Sequence, residues 1–472
     1  MVKVRFAPSP SGSLHLGSAR TAIVNYLYAR SVGGKLVLRI EDTDEARSTQ
    51  VSKDSILTTL EWLKIQFDEG PFYQSQRSSL YQNYVDQLLA SGGAYRCFCS
   101  QKELSERKQK QIEQGLYPFY NGGCEKLTPA EVQKKLDNRE PYMVRLKMPD
   151  QKIVFHDMIK GDLEFQGDLL TDIVIERTDG TPTYHFAVVI DDHLMEISHV
   201  IRGEDHLSNT PLQIAIYEAL HWDKPEFCHL PLITGPDQTK LSKRHCDTAI
   251  EDYQALGFLP EAIFCYLALL GYSRKPTKEI FDQDSLISSF HLSQLSCSSS
   301  QFDISNLIWM NTQFIKKKDL DQLWDESQKW IDRVPLEYEK KRKIFELSRN
   351  QLKTLGDIPR CFEPFLVYRL DKENPEIQKI LESTDFWTYL DEFFCQLNQL
   401  EVFREDTLEL MFESVREKYS VHKRDLIQII RIAITGGLVS PPLFDTLILL
   451  GKNEVMKRYS LFASECNHDK KN

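Results

Sequence analysis

Residues Val2–Ile40, VKVRFAPSPSGSLHLGSARTAIVNYLYARSVGGKLVLRI, decide the fold class of this chain. Residues 2–6 form a short apolar strand, and the Pro, Ser and Gly of 8–13 make a loop. From Gly17 to Arg30, Ile23, Val24 and Leu27 share one face at helical spacing. Gly33-Gly34 then leads into a second strand, Lys35–Ile40. Strand, helix and strand in succession predict a parallel sheet with helices on its faces. The alternation continues downstream. Ile56, Leu57, Leu60 and Leu63 predict a helix over 54–67, and a helix over 77–91 stops at Gly92-Gly93.

The stretch 95–181 breaks this rhythm. It holds three clustered cysteines, a charged helix near 101–114, a Tyr/Pro/Gly loop and short strands near 142–147, 153–156 and 173–177, and reads as an inserted α+β domain. Tyr184–Ile190 and Ile197–Arg202 return to the buried pattern and are expected as strands, and Thr210-Pro211 opens a helix over 211–221. Beyond about residue 250 the pattern is helical, at 259–271, 283–291, 319–332, 336–355, 375–397, 405–419, 423–435 and 441–450. A boundary falls near 310–320. The expected fold is an α/β domain with a parallel sheet and an α+β insertion, followed by an all-α region.

Composition bounds this reading more than it directs it. The 472 residues are 41% hydrophobic and 27% charged, an ordinary globular balance for two to four domains. No apolar run approaches the roughly 20 residues of a membrane span, and Met1–Phe6 lacks the apolar core of a signal peptide. A soluble cytoplasmic protein is expected. The net charge of −11, from 58 Lys and Arg against 69 Asp and Glu, argues mildly against nucleic acid. Only local patches need touch an RNA, however, and basic clusters stand at Lys316-Lys317-Lys318, Lys340-Lys341-Arg342-Lys343 and His422-Lys423-Arg424. Read alone, each is a solvated helix face.

Two motifs carry chemistry. Ala7-Pro8-Ser9-Pro10-Ser11-Gly12-Ser13-Leu14-His15-Leu16-Gly17-Ser18 lies between a strand and a helix, where backbone N–H groups and the helix dipole face a phosphate. Gly17 leaves room for a nucleotide, and His15 can donate to a phosphoryl oxygen. Far downstream, Lys240-Leu241-Ser242-Lys243-Arg244 follows the loop Gly235-Pro236-Asp237 and offers mobile positive charge to a polyphosphate. The lysine motif alone is a weak signal, as a lone His-x-Gly would be, but the whole twelve-residue run is far more specific.

Together they resemble the two signatures of class I aminoacyl-tRNA synthetases. Arg5-Phe6-Ala7-Pro8-Ser9-Pro10-Ser11-Gly12, Arg39-Ile40-Glu41-Asp42-Thr43-Asp44, Asp191-Asp192-His193, Val200-Ile201-Arg202-Gly203-Glu204-Asp205-His206 and Trp309-Met310-Asn311 resemble, in order, the bacterial-type glutamyl-tRNA synthetases. The resemblance is close over about 1–315 and looser beyond. It implies a Rossmann-like catalytic domain at 1–95 and 182–235, and an acceptor-end-binding insertion at 96–181. A stem-contact domain with the lysine loop would follow at 236–318, and a helical anticodon-binding domain at 319–472.

The resemblance also implies a two-step reaction, glutamyl-AMP formation from glutamate and ATP, then transfer to the terminal ribose of tRNA, with activation waiting for tRNA. His15, Lys240 and Lys243 would be catalytic. Ser9, Pro10, His15, Gly17, Ser18, Lys240, Leu241, Ser242, Lys243 and Arg244 would hold ATP, accompanied by Mg2+. Neither step needs a protein nucleophile, so positioning and electrostatics should suffice. Glutamate needs cations for its side chain and an anion for its ammonium. Arg5 and Arg202 match the family's side-chain arginines, Ser9 and Glu41 its backbone contacts, and Tyr184 a tyrosine beside the side chain. Val188 stands where some relatives carry asparagine, and that contact is not carried over.

The cysteine cluster, Cys97, Cys99 and Cys124, supplies three of the four ligands of a structural zinc; the alternative is buried free thiols. Relatives take the fourth ligand from a histidine two residues beyond the third cysteine or a tyrosine four before it. Here these are Lys126 and Tyr120, so Tyr120 is the candidate and Glu125 the fallback. In the helical region, a family position that rejects the glutamine anticodon with arginine falls on Gln351, so tRNA(Gln) joins tRNA(Glu) as a candidate substrate. Relatives are usually monomers. Rival readings are a shorter paralogue that glutamylates a modified tRNA base, which lacks the helical region, and a glutaminyl enzyme, whose C-terminal half is β-barrel. A nucleotidyltransferase or non-catalytic RNA-binding relative should have lost the lysine loop or the amino acid pocket.

Overall fold

The computed structural model describes all residues except 45–47, 116–119, 121–122, 168–169, 243–245, 247, 274–281, 384 and 467–472. The chain divides into two compact units, Met1–Gln254 with Pro260–Ile304, and Ala255–Leu259 with Ser305–Asn472.

The first unit opens as its sequence dictates, with β1 (Lys3–Phe6), α1 (Leu16–Ser31) and β2 (Lys35–Ile40). β1 and β2 pair in parallel from Lys3↔Lys35 to Phe6↔Leu38. The crossover is tight: a Cβ on Gly34 would meet the Val2 carbonyl oxygen at 2.6 Å. α2 (Gln50–Trp62), β3 (Glu69–Tyr73) and α3 (Ser78–Ser91) continue the alternation, and α3 ends at Gly92 with φ +76°. Next come β4 (Ala94–Cys97), α4 (Gln101–Glu113), α5 (Pro129–Asp137), β5 (Met143–Leu146), β6 (Ile153–Asp157), β7 (Gly161–Phe165) and β8 (Val174–Glu176). Then follow α6 (Tyr184–Leu194), β9 (His199–Gly203), α7 (Thr210–Ala219), β10 (Glu226–Leu230), β11 (Ile233–Thr234), α8 (Ile250–Ala255), α9 (Pro260–Leu269), α10 (Gln283–Ser289) and β12 (Ser300–Gln301).

A seven-stranded sheet runs β3-β2-β1-β9-β10-β6-β7, parallel throughout except for the β6–β7 hairpin. Its first five strands have the order of a doubly wound Rossmann-like sheet, whose switch point between β1 and β9 places ligands beyond the strands' carboxyl ends. β4, β5 and β8 make a separate antiparallel sheet, and capping boxes at Ser100/Glu103 and Thr128/Glu131 start α4 and α5.

Two expectations are corrected here. Tyr184–Ile190 is not a strand but the first part of helix α6. Every residue from Phe186 to Asp192 is buried, and a run covered on all sides shows no period that separates strand from helix. The segment near 153–156, read as part of a separate insertion, joins the main sheet, because β6 pairs with β10 at Asp157↔Phe227.

The second unit is helical: α11 (Ile304–Lys317), α12 (Leu320–Glu326), α13 (Gln328–Ile331), α14 (Tyr338–Ser348), α15 (Ile358–Leu366), α16 (Pro375–Leu381), α17 (Phe386–Gln399), α18 (Glu405–Tyr419), α19 (Lys423–Thr435), α20 (Leu443–Leu450) and α21 (Lys452–Glu465). The helices expected over 319–332 and 375–397 are each two, and α11, α15 and α21 were not expected. Pro359 and Pro364 mask α15, and the polar face of α21 hides the stripe Val455, Phe462 and Ala463 that it buries. No helix among the described residues is long and apolar enough to cross a membrane.

Candidate functional site

Where β1, β2, β9 and β10 end, the first unit holds a cavity of about 640 Å3. Each wall comes from a strand end or the turn after it. β1 supplies Arg5, and the following loop supplies Ser9, His15, Gly17 and Ser18; Glu41 follows β2, Arg202 lies on β9, and Tyr184 begins α6. Lys240, Leu241 and Ser242 close the rim. Pro10 is buried but does not line the cavity, and Lys243 and Arg244 lie outside the described residues.

The two motifs, distant in sequence, are stitched together. Leu16 N–H donates to the Thr248 carbonyl at 2.9 Å, Ile250 N–H donates to the Leu14 carbonyl at 3.0 Å, and His15 bridges Ala249 as in an antiparallel pair. His15 Nδ1 lies 3.3 Å from Thr248 Oγ1. The first-turn N–H groups of Gly17 and Ser18 have no partner inside their own helix. A Cβ at Gly17 would meet no atom of the described residues within 4 Å, so those residues leave that side open. Lys240 Nζ pairs with Asp205 Oδ2 at 3.6 Å.

The opposite wall is a buried charge network. Arg39 lies between Asp192 at 2.8 Å and Glu41 at 3.2 Å, and Arg5 Nε donates to Asp192 at 3.2 Å. Burial opposes the charge on Asp192, but Arg5 and Arg39 outweigh it and hold the carboxyl below its ordinary range. For Glu41 burial prevails over Arg39 and Arg5 and raises its pKa to about 7. Burial, with Glu41 nearby, raises Tyr184 to about 12, and its hydroxyl lies 3.1 Å from His206 Nδ1. His206 is held at about 4 by burial and by Arg202. Burial also lowers Arg202, which keeps Nη1 without a partner among the described residues. Val188 is buried in α6 and does not line the cavity. Sequence reasoning assigned no role to Arg39, Asp192, Asp205 or His206, although all four lie in motifs it quoted. The available signal was two carboxylates inside the apolar run of α6, since buried charges need partners.

Away from the cavity, Cys97, Cys99 and Cys124 bring their sulfurs within 4.8 Å of one another. Tyr120 Oη lies 3.0 Å from Cys97 Sγ and 3.8 Å from Cys99 Sγ. Glu125 pairs with Lys147 at 3.6 Å. In the second unit, Gln351 Nε2 donates to the Ser440 carbonyl at 2.9 Å, and Arg431 Nε donates to Ser440 Oγ at 2.9 Å.

A doubly wound sheet whose two motif loops line a cavity at its carboxyl edge, followed in the chain by a helical unit, is the organisation of a class I aminoacyl-tRNA synthetase. Residues 1–309 match the family model for tRNA synthetases class I (E and Q), catalytic domain, and residues 316–461 match an anticodon binding domain. Glutamate–tRNA ligase 2 of Thermoanaerobacter pseudethanolicus is 39% identical over 97% of both chains. The glutamate–tRNA ligase of Bacillus subtilis is 38% identical over 97% of this chain and 98% of its own. A glutamate tRNA ligase from Elizabethkingia meningosepticum, crystallised in complex with its amino acid, superposes with a TM-score of 0.88 at 32% identity, covering 98% and 99% of the two chains. The chain belongs to the glutamate–tRNA ligase family.

Proposed function

We propose that this chain activates glutamate with ATP and transfers it to the 3′ end of tRNA(Glu). The single observation that carries this reading is the cavity itself, where Lys240 on the rim and the helix-start residues Gly17 and Ser18 line a pocket walled by Arg5, Glu41, Tyr184 and Arg202. In the first step the glutamate α-carboxylate attacks the α-phosphorus of ATP and pyrophosphate leaves. In the second the terminal ribose hydroxyl attacks the mixed-anhydride carbonyl and AMP leaves. Both steps need orientation and stabilised charge rather than a protein nucleophile. Ser9, Pro10, His15, Gly17, Ser18 and Lys240–Arg244 take the nucleotide role, with His15, Lys240 and Lys243 meeting the phosphates. Mg2+ accompanies ATP to offset its charge. Arg5 and Arg202 take the side-chain carboxylate, and Ser9 and Glu41 the amino acid backbone. Residues 1–95 with 182–235, 96–181, 236–318 and 319–472 divide the work among catalysis, acceptor end, stem and anticodon.

Glutamate-dependent ATP–pyrophosphate exchange, with and without tRNA, tests this reading. Exchange is expected only when tRNA is present; exchange without tRNA, or none with glutamate, overturns it.

Zinc is a second part of the proposal. Tetrahedral zinc with Zn–S near 2.3 Å sets its sulfurs roughly 3.8 Å apart, and Cys99 and Cys124 lie 3.6 Å apart. Tyr120 suits the fourth place better than Glu125, which is engaged by Lys147. The ion would clamp β4 to the loop at Cys124. Metal analysis of purified protein is expected to return about one equivalent, and less than about a tenth rules the site out.

Charging of tRNA(Gln) is supported by Gln351. One of its amide N–H groups is donated to the Ser440 carbonyl, which leaves a donor and an acceptor, a neutral pairing face that discriminates less between bases than a guanidinium, which only donates. Failure to charge tRNA(Gln) in vitro removes this part alone. None of the ten cysteines is in a disulfide, which suits a reducing cytoplasm. A monomer is proposed, and sedimentation tests it.

A further inference from the structure

Arg202 lines the cavity from β9 with two of its three nitrogens already engaged. Nε donates to His229 Nε2 at 3.1 Å and Nη2 to Thr210 Oγ1 at 2.9 Å, while Nη1 has no partner among the described residues. A guanidinium only donates, and Thr210 Oγ1 also lies 3.1 Å from His229 Nε2, so the Arg202 contact assigns Nε2 as the bare nitrogen of a neutral ring that both groups approach. The proton therefore sits on Nδ1 and is donated to Asp157 Oδ2 at 2.6 Å. Asp157 is held in turn by the backbone N–H groups of His229 at 3.1 Å, Ile159 at 3.0 Å and Lys160 at 2.9 Å. Asp157 and His229 are 0% exposed and Arg202 is 5% exposed. Neither Asp157 nor His229 lines the cavity.

We infer that Asp157 and His229 are positioning residues that lock the Arg202 guanidinium at the cavity wall, so that the buried Nη1, the one nitrogen without a partner among the described residues, is kept for the carboxylate of the substrate side chain. The Asp157 carboxylate fixes the imidazole tautomer, and the imidazole, with Thr210, fixes the plane of the guanidinium. A neutral ring also spares Arg202 a second buried cation, and burial holds the His229 pKa below its usual value despite Asp157. The β6–β7 hairpin thereby gains a part in substrate selection, because its pairing with β10 carries Asp157 to the back of the amino acid pocket.

This inference rests on the proposed role of Arg202, and the test separates the two. Glutamate and ATP KM and kcat are measured in the tRNA-dependent exchange reaction. His229→Leu is expected to raise the glutamate KM by about tenfold or more, with kcat and ATP KM within roughly twofold. His229→Gln keeps a donor and an acceptor on one side chain and is expected to recover most of the loss. A merely structural histidine would move all constants together and would not be rescued. If His229→Leu does not fold, Thr210→Val, which removes the second anchor, carries the test with a rise of roughly three- to tenfold. An unchanged glutamate KM in folded His229→Leu, or no rescue by glutamine, overturns the inference while Arg202→Ala still raises that KM. If Arg202→Ala is also silent, the pocket assignment falls, and the positioning role with it.

Discussion

Glu41 sits on the wrong side of its ordinary titration range, because burial raises its pKa to about 7 against the pull of Arg39 and Arg5. The raised value means that the folded protein holds the proton more tightly than the unfolded chain. The stability from this group is present in acid and is lost as pH rises through about 7. Binding has the opposite sign, since a substrate ammonium prefers the ionised carboxylate. The glutamate KM is therefore expected to rise by up to about tenfold per unit as pH falls below 7. Glu41→Gln should flatten that limb in a pH series of exchange kinetics; an unaltered limb would remove Glu41 from the ammonium contact. The two arginines should also behave differently. Arg202 binds neutral partners, so Arg202→Ala should raise the glutamate KM with little loss of melting temperature. Arg5 shares the buried Asp192 with Arg39, so Arg5→Ala should also lower stability, by about 1–3 kcal/mol in a denaturant titration because Arg39 still balances the carboxylate. Arg5, Ser9, His15, Gly17, Glu41, Tyr184 and Arg202 were legible in sequence because the quoted motifs carry most of them, whereas Asp205 and His206 line the same cavity and were passed over. Asp157 and His229 were not legible, because their function comes only from a strand pairing that joins distant segments.

At the scale of the elements, the βαβ start was readable because its helix and strands differ in period and are separated by glycines. Gly34 marks a steric limit there. Gly34→Ala would press a Cβ against backbone that cannot yield, and is expected to cost about 1–3 kcal/mol in thermal denaturation. α6 was misread because Val188, Val189 and Ile190 favour strands, while its burial on all sides erases the helical stripe. Tertiary context overrode propensity, and the helix places Asp192 where Arg5 and Arg39 need it. The break between α16 and α17 had no signal beyond Ser383 and Asp385.

For the molecule as a whole, the net charge of −11 coexists with a nucleic-acid substrate because recognition is local. Several cations in the basic clusters are already paired, Lys318 with Glu326, Lys343 with Glu346 and Lys423 with Glu413, as solvated faces should be. Gln351→Arg is expected to lower charging of tRNA(Gln) by about tenfold relative to tRNA(Glu), read in parallel aminoacylation assays; an unchanged ratio would dismiss Gln351 as the discriminating position. The clasp that joins His15 to Thr248 spans 233 positions. Chains emerge from the ribosome at about 5–20 residues per second and form distant contacts last. The nascent protein therefore has no finished clasp beside the cavity until its second strand has left the exit tunnel. A polypeptide stalled before that point should neither capture nucleotide nor spend it, so the enzyme that feeds translation stays silent during its own synthesis.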